Sequence, residues 1–596
     1  MNSSFWVKFY QRGHVSFLFI GLALAWLLRM SWLRWGDLVI DLGREMYVPA
    51  KLASGAVLYR DIFYLYGPFS PYFNAFLYKV FGTHILSLVL GGILVTALTA
   101  ILLYKIARMF LNVFFATFLA LTFLFVLAFG HYVPIGNYNF ILPYSYPATH
   151  AILFALGALY FLFRSLDRSL VKDIYIAGVF IFLCVVSRVE IGLMLVVSVL
   201  AGVVILKLSG VRALLFRPLV LYPLAGSFLV YGIFFVMAGP HILESNLFDI
   251  LKSNTQASPF ATMLSGANAS AQNLALMLKA AVFYLFLALG LAGAGYAAGW
   301  AARCKGAFAR WSLYTGISLV ALAGEVVFLK TVFSFELQYR SLPIMCVIVG
   351  LLSLVAYVRS GRKPGELKLF ILALFSLCVV MRIVMYVHAW HYGFYILVPG
   401  LIVYYVFFFR ILPQLTQHKF MTVAFYAGFT LVLLVLAVDH FQISRAYYER
   451  RTQPVPSSRG EMSVVAGPQA EGVRQLVDFF RIQTAKNATV AIFPEGVTIN
   501  FLAERESPLY YYSFLPPDMV RPRVEQSMVD DVAFKRPDYI VILQRDVQEY
   551  GSRGFGVDYG KKILAYIEKN YVPVAHTGPL PFAPDNFSAV IFKSNY

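Results

Sequence analysis

Charge is scarce in this chain. Of its 596 residues only 13% are Asp, Glu, Lys or Arg, where a soluble protein carries about a quarter. Acidic residues are the scarcer sign, 30 against 49 Lys and Arg. Cysteine is scarcer still: Cys184, Cys304, Cys346 and Cys378 make up the whole complement. Three of them sit in apolar runs and none has metal-ligand spacing, which excludes a disulfide framework or a zinc-thiolate site. No Walker A loop, no HExxH and no nucleophile elbow occurs, so no nucleotide fingerprint or metalloprotease signature suggests a function.

What fills the sequence is hydrocarbon. Hydrophobic residues reach 60% and aromatics 17%, with a mean hydropathy of +0.72. They come in blocks long enough to cross a bilayer, which takes roughly 20 residues as a helix. Thirteen such spans are predicted, at 15–34, 84–104, 110–130, 147–164, 173–187, 191–208, 218–239, 275–300, 312–333, 341–358, 369–388, 394–412 and 420–440. The fold class expected is a polytopic α-helical membrane protein. Lys and Arg gather between alternate spans: Lys105 and Arg108; Arg164, Arg168 and Lys172; Lys207, Arg212 and Arg217; Arg303, Lys305 and Arg310; Arg359, Arg362, Lys363 and Lys368; Arg410 and Lys419. Short basic loops stay in the cytoplasm. The formal charge of +19 is therefore topology, and no nucleic-acid partner is expected. The first span follows Lys8 and Arg12 and reads as a retained signal-anchor in the cytoplasmic (inner) membrane. An odd span count then puts the C-terminal part outside, with the N-terminus inside.

Four segments fall on the outer side: 35–83, 131–146, 240–274 and the C-terminal part. Residues 45, 48 and 52 and residues 46, 49 and 53 have helical spacing. Pro68 and Pro71 break the chain before a helix restarts over 72–81. Short helices lying on the outer membrane surface are expected. From 451 to 469 the composition turns to Pro, Ser, Gly and charge, which predicts a linker. The domain plan is thus a membrane domain over 1–444, a linker over 445–470 and an extracytoplasmic α/β domain over 471–596. Within the last, helices are predicted at 472–485 and 558–571 and strands at 489–493, 539–543 and 589–593.

Chemistry has few places to go. Asp41 follows the first span, with Arg44 three positions on, so a helix puts a carboxylate and a guanidinium on one face. Such a pair suits proton removal beside a bound phosphate. From spacing alone, a solvated interfacial ion pair is the plainer reading. Asp41 and Glu45, Ala50, Leu52, Gly55, Leu58-Tyr59-Arg60-Asp61 and Tyr66-Gly67-Pro68 together resemble the first outer loop of GT-C glycosyltransferases. The likeness is to the bacterial protein-mannosyltransferase branch, which includes the lipid A aminoarabinose transferases. It continues more weakly through residues 144–150 and through Ser187-Arg188-Val189-Glu190-Ile191-Gly192.

This resemblance implies a polyprenyl-phosphate sugar donor and an essential acidic residue, matched by Asp41, with Arg44 at a phosphate-contacting position. Glu45, Tyr59, Arg60, Asp61 and His150 become candidate donor or substrate contacts. Family members often carry a second acidic residue in the outer loop after the third span, but residues 131–147 hold no Asp or Glu. A divalent metal is the less favoured alternative, since hard divalent ions want carboxylate oxygens, and no other cofactor is expected. Arg188, Arg382 and His391 lie near outer ends of spans, where they suit a lipid phosphate. Arg188 and Glu190 equally suit a structural pair, and Arg340 suits snorkelling. Glu325 and Lys330, five apart in one span, do not pair directly. Phe493-Pro494-Glu495-Gly496 reads as a strand ending in a functional turn. The glycine-rich run from Gly551 to Gly560 reads as a binding loop, though plain loop chemistry fits both.

The function expected is inverting transfer of a sugar from a polyprenyl-phosphate donor to an acceptor hydroxyl on a glycan, lipid or protein, with Asp41 as general base and membrane lipids around it. The alternative is a transporter or flippase of a lipid-linked substrate, which suits intramembrane charge but more often shows two similar halves. A scaffold gives no reason for the grouping of Asp41, Arg60 and Asp61.

Overall fold

The computed structural model describes residues 13–210, 213–244, 267–303, 306, 337–416, 418–519, 524–582 and 586–595. The span expected at 312–333 with Glu325 and Lys330, most of the 240–274 loop, Cys304, and Lys8 and Arg12 lie outside them. Among the described residues nine helices are long and apolar enough to cross a membrane. In chain order the helical part comprises α1 (His14–Ser31), α2 (Leu42–Ala53), α3 (Phe69–Phe81), α4 (Ile85–Ala107), α5 (Val113–Ala128), α6 (Tyr146–Arg168), α7 (Val171–Ser187), α8 (Val189–Leu208), α9 (Pro218–Ala238), α10 (Ser270–Ala301), α11 (Leu342–Arg359), α12 (Pro364–Val380), α13 (Gly393–Gln414) and α14 (Lys419–Glu449). The shorter α5, α7 and α12 are apolar too. The chain is an integral membrane protein.

Local chemistry sets the helix boundaries. Asn112 caps α5 by accepting the Phe115 amide at 3.0 Å, and prolines open α9 and α12 in the first turn. The centre of the bundle is α6 and the first half of α13, buried almost throughout. The rim keeps large apolar side chains exposed, such as Phe228 and Val236 on α9 and Leu289 on α10, as lipid contact requires. At the far end of α6 from Tyr146, Arg164 pairs with Asp173 and Lys368 with Asp167.

The C-terminal part follows α14 without an irregular linker. α14 runs to Glu449, and β1 (Arg451–Ser457) and β2 (Gly460–Val465) form an antiparallel hairpin. Pro454 and Pro456 read as breakers in the sequence, but in a two-stranded hairpin a strand keeps one edge free of partners, where proline is tolerated. Buried Arg451 donates to the carbonyls of Gly36 and Pro134, tying this hairpin to two loops of the membrane part. Then come α15 (Pro468–Gln483), β3 (Val490–Phe493), α16 (Val497–Ala503), α17 (Val524–Lys535), β4 (Tyr539–Leu543), α18 (Lys561–Asn570), β5 (Tyr571–Thr577) and β6 (Ala589–Ser594). The sheet order is β3-β4-β6-β5, with β3 and β4 parallel and the rest antiparallel. α15 buries Val473, Leu476, Val477 and Phe480, the i, i+3, i+4, i+7 stripe of a helix on a sheet. The helix expected over 558–571 begins at Lys561, and Tyr571 already belongs to β5. β5 carries Pro573 and lies at the sheet edge.

The juxtamembrane helices differ from each other. α3 exposes Tyr72, Phe76, Val80 and Phe81, as a helix on the membrane surface should. α2 does not lie on that surface. It buries Leu42, Gly43, Glu45, Met46, Tyr47, Val48, Pro49 and Leu52, packed between α3 and α16. A Cβ at Gly43 would come within 2.5 Å of the Thr498 amide nitrogen, so only glycine allows this approach. The Tyr47 hydroxyl accepts the Ser507 amide at 2.7 Å, and the Phe63 amide donates to the Tyr510 carbonyl at 3.0 Å. The C-terminal part is thereby seated on the first loop.

Candidate active site

Asp41 precedes α2 in a backbone conformation that L-residues avoid, φ 65° and ψ −51°. The Leu42 amide donates back to the Ile40 carbonyl at 2.6 Å. This is the three-residue γ-turn with positive φ at its centre, a rare and strained form. Such a residue costs on the order of 1–3 kcal/mol and persists only where its surroundings hold it. Two neighbours do. Asp37 Oδ1 accepts the amides of Val39 and Ile40 at 2.8 and 2.9 Å. The Asp41 amide donates to Glu495 Oε1 at 2.8 Å.

Glu495 stands in the turn after β3, and its other oxygen accepts Arg545 Nε at 3.1 Å. Arg545 also pairs with Glu549 at 3.0 Å. Burial, then the Glu495 carboxylate, pushes Asp41 up to about 8. Burial also raises Glu495, against the pull of Arg545. Burial works against the charge of Arg545, but Glu495 and Tyr550 outweigh it and hold the guanidinium above its usual range. The turn that reads as functional in the sequence is thus the one that grips Asp41.

Asp41 and Arg44 line one cavity of about 490 Å³ between the loops and the C-terminal part, within the size range of ligand sites. Tyr138, Tyr144, Trp390, His391 and Tyr392 form its aromatic wall, and Glu495, Tyr512, Arg545 and Tyr550 close it from the C-terminal side. The loop over 131–147 lacks carboxylates but supplies Tyr138 and Tyr144. His391 has φ 63°; burial and then Arg382 lower it to about 4, leaving a neutral imidazole at physiological pH.

The cations predicted to meet a phosphate stand together. The Arg44 guanidinium lies 4.5 Å from the Tyr144 ring centre and 5.2 Å from that of Tyr66. Arg188 lies 4.9 Å from the same Tyr66 ring. Arg188 pairs with Glu190, which Arg382 reaches at 3.3 Å, and Arg382 donates to the Tyr395 hydroxyl at 2.6 Å. The α7–α8 break at Arg188 (φ −151°, ψ 104°) is extended. It packs so tightly on the first loop that a Cβ at Gly67 would meet the Val186 carbonyl oxygen at 2.1 Å. Glu45 is buried, 3.5 Å from Arg44, and accepts the Tyr146 amide at 3.3 Å. Burial raises its pKa and Arg44 opposes the rise.

Seven predicted contacts lie outside the cavity lining: Glu45, Arg188 and Arg382, placed by the contacts above, and Tyr59, Arg60, Asp61 and His150. Arg60 and Asp61 form an exposed bidentate pair, both bonds 2.8 Å, and Asp61 closes its own turn by accepting the Val57 amide at 2.7 Å. Tyr59 is buried and donates to the Tyr66 carbonyl at 2.6 Å, which braces the loop. His150 is buried on α6, with Nδ1 2.8 Å from the Ser70 hydroxyl. Arg545, Tyr512 and Trp390 carry no signal in the sequence, and Glu495 stands out there only as part of its turn, with no tie to Asp41. Among the described residues no three His, Cys, Asp or Glu side chains form a metal-binding group.

Residues 66–237 match the family model described as dolichyl-phosphate-mannose-protein mannosyltransferase. That stretch contains residues 144–150 and 187–192, where the sequence resembles the same family. No curated protein matches the chain. Among solved structures it is similar to the Archaeoglobus fulgidus oligosaccharyltransferase in complex with Zn and sulfate, with 14% identity, a TM-score of 0.49, and coverage of 94% of this chain and 72% of that one. It is also similar to ArnT from Cupriavidus metallidurans bound to undecaprenyl phosphate (15% identity, TM-score 0.39, 99% and 98% covered). A third similar structure is the arabinofuranosyltransferase AftD from Mycobacteria (13% identity, TM-score 0.39, 97% and 40% covered).

Proposed function

We propose that this protein is a membrane glycosyltransferase that takes a sugar from a polyprenyl-phosphate donor and passes it to an acceptor hydroxyl at the outer membrane face, with inversion. The observation that carries this reading is the placement of Asp41, at a strained turn, beside Arg44 on the wall of one cavity. The acceptor oxygen attacks the anomeric carbon as the bond from that carbon to the phosphate oxygen breaks. The acceptor proton passes to Asp41, and polyprenyl phosphate leaves with the added negative charge. A carboxylate with a pKa near 8 is a stronger base than an ordinary one and suits this transfer near neutral pH. Fixed cations stabilise the charge that develops on the leaving phosphate. Arg44 fills that role at the cavity, backed by Arg188 and Arg382 across Tyr66 and Glu190. The aromatic wall offers flat faces to a sugar ring, and neutral His391 offers a hydroxyl partner.

The match to the protein-mannosyltransferase family over 66–237 supports this reading, as does the membrane-embedded fold. The cytoplasmic N-terminus, the outer C-terminal domain over 471–596 and the metal-independent site belong to the same proposal. The test is release of polyprenyl phosphate by the purified chain in lipid, offered a panel of polyprenyl-phosphate sugars and candidate acceptors. Acceptor-dependent release supports the transferase. No release with any pair, alongside protein-dependent movement of the lipid-linked sugar across vesicles, replaces it with a flippase.

A further inference from the structure

A second cavity, of about 270 Å³, opens at the other end of α2. Lys51 on α2, Tyr78 and Lys79 on α3, Arg459 in the β1–β2 turn, and Glu504, Arg505 and Glu506 after α16 contribute to its wall. Four cations there face two carboxylates, and their situations differ. Lys51 pairs with Glu506 at 3.1 Å. Arg505 is buried and donates to the carbonyls of Phe480, Ala503, Glu504 and Thr484, which makes it structural. Arg459 gives one N–H to the Phe501 carbonyl at 3.1 Å and lies over the Phe501 ring. The exposed ammonium of Lys79 has no hydrogen-bond or ion-pair partner among the described residues. Burial pulls Arg459 below its usual range in spite of Glu504 and Glu506, so its charge is incompletely compensated.

The cavity lies at the membrane boundary. Tyr72, Phe76 and Val80 recur every fourth residue along α3 and stay exposed with Phe81, and the membrane span α4 begins at Ile85. An apolar stripe next to an unpaired lysine is the arrangement that seats a helix in the interface beside anionic headgroups. The guanidinium of Arg459 offers directional donors to phosphate oxygens, and Lys79 a point charge.

We propose that this cavity binds the phosphate group of an anionic membrane lipid through Lys79 and Arg459, with the acyl chains lying along Phe76, Val80 and Phe81. A lipid held there bridges α3 and the C-terminal part at the point where both meet the bilayer. The site shares no residue with the cavity around Asp41 and stands whether or not the transferase reading does.

The test uses the full chain in neutral detergent, titrated with dioctanoyl phosphatidylglycerol and followed by native mass spectrometry and thermal shift. Dioctanoyl phosphatidylcholine and inorganic phosphate are the parallel arms. Saturable phosphatidylglycerol binding is expected, well above that of phosphatidylcholine. Lys79→Gln should weaken it about fivefold, the share of one lysine near a charged membrane surface, and Lys79→Arg should restore it. Because Lys79 is exposed, both variants should melt like the native chain in the absence of lipid. Tight binding of inorganic phosphate with the same Lys79 dependence would keep the phosphate site and overturn the lipid as its ligand. Equal binding of both lipids, or phosphatidylglycerol binding unchanged by Lys79→Gln, overturns the proposal.

Discussion

The backbone amide of Asp41 donates a 2.8 Å hydrogen bond to the Glu495 carboxylate, 454 residues away in the chain. One side chain of the C-terminal part thus holds the strained turn and raises the pKa of the carboxyl group within it. Glu495 is a positioning residue in this reading. It lines the same cavity, and its hydrogen bond goes to the backbone amide of the proposed base.

The pH profile follows from that contact. Asp41 accepts a proton only when ionised, and its pKa is raised to about 8, so kcat/KM should climb with pH through a midpoint near 8. Glu495→Gln keeps a carbonyl oxygen for the Asp41 amide but removes a neighbouring negative charge. Ionising Asp41 then costs less, and the rising limb should move to lower pH. A pH-rate series on both proteins checks this. A limb that stays in place would remove Glu495 from the tuning of Asp41.

Tyr66 carries two guanidinium groups over one ring, Arg44 at 5.2 Å and Arg188 at 4.9 Å. Each such interaction contributes about 0.5–2 kcal/mol. Tyr66→Leu should therefore raise the donor KM by about tenfold, the equivalent of a single cation–π interaction in that range. Tyr66→Phe keeps the ring and should stay within about twofold of native. Steady-state kinetics against donor concentration separate the two variants.

The seating of α2 on α16 depends on a missing side chain. Gly43→Ala places a methyl group within 2.5 Å of the Thr498 amide nitrogen, and overpacking of this kind costs about 1–3 kcal/mol. A lower melting temperature and lower turnover are expected together. Gly21 has open space around it, so Gly21→Ala serves as the control and should leave both unchanged.

Arg60 and Asp61 belong to the sequence likeness but not to the cavity lining. Exposed ion pairs contribute little, about 0–1 kcal/mol. Arg60→Ala should leave turnover within about twofold of native. A large loss of turnover with an unchanged melting curve would show that Arg60 meets a substrate outside the Asp41 cavity.

Much of this organisation was legible in the sequence because it rests on local chemistry. Hydropathy runs located the membrane helices, since each is set by its own residues. Asp41 and Arg44 stood out through the likeness of the first loop, since their spacing alone suits a solvated ion pair and Asp41 lies outside the helix that spacing implies. Arg188 with Glu190 stood out from charge placed between apolar runs. The companions of Asp41 were not legible. Glu495 stood out only as part of a turn after a strand, and nothing in its neighbours ties that turn to a loop on the far side of the chain. Arg545 carried no signal at all. The β1–β2 hairpin was hidden by its prolines, whose breaker reading fails at a free strand edge. The burial of α2 was hidden because helical spacing reveals an apolar face but not what covers it, and here it is a protein surface and not lipid.

Asp41→Asn tests the central claim most directly. The native chain and the variant would be compared for acceptor-dependent release of polyprenyl phosphate in lipid, with melting curves taken in parallel. The substitution is nearly isosteric and leaves the hydrogen bond from the backbone amide to Glu495 available. The expected result is a loss of about 10²–10⁴-fold in kcat, the share of a general base, with an unchanged melt. Equal turnover by the two proteins would contradict the assignment of Asp41 as the base.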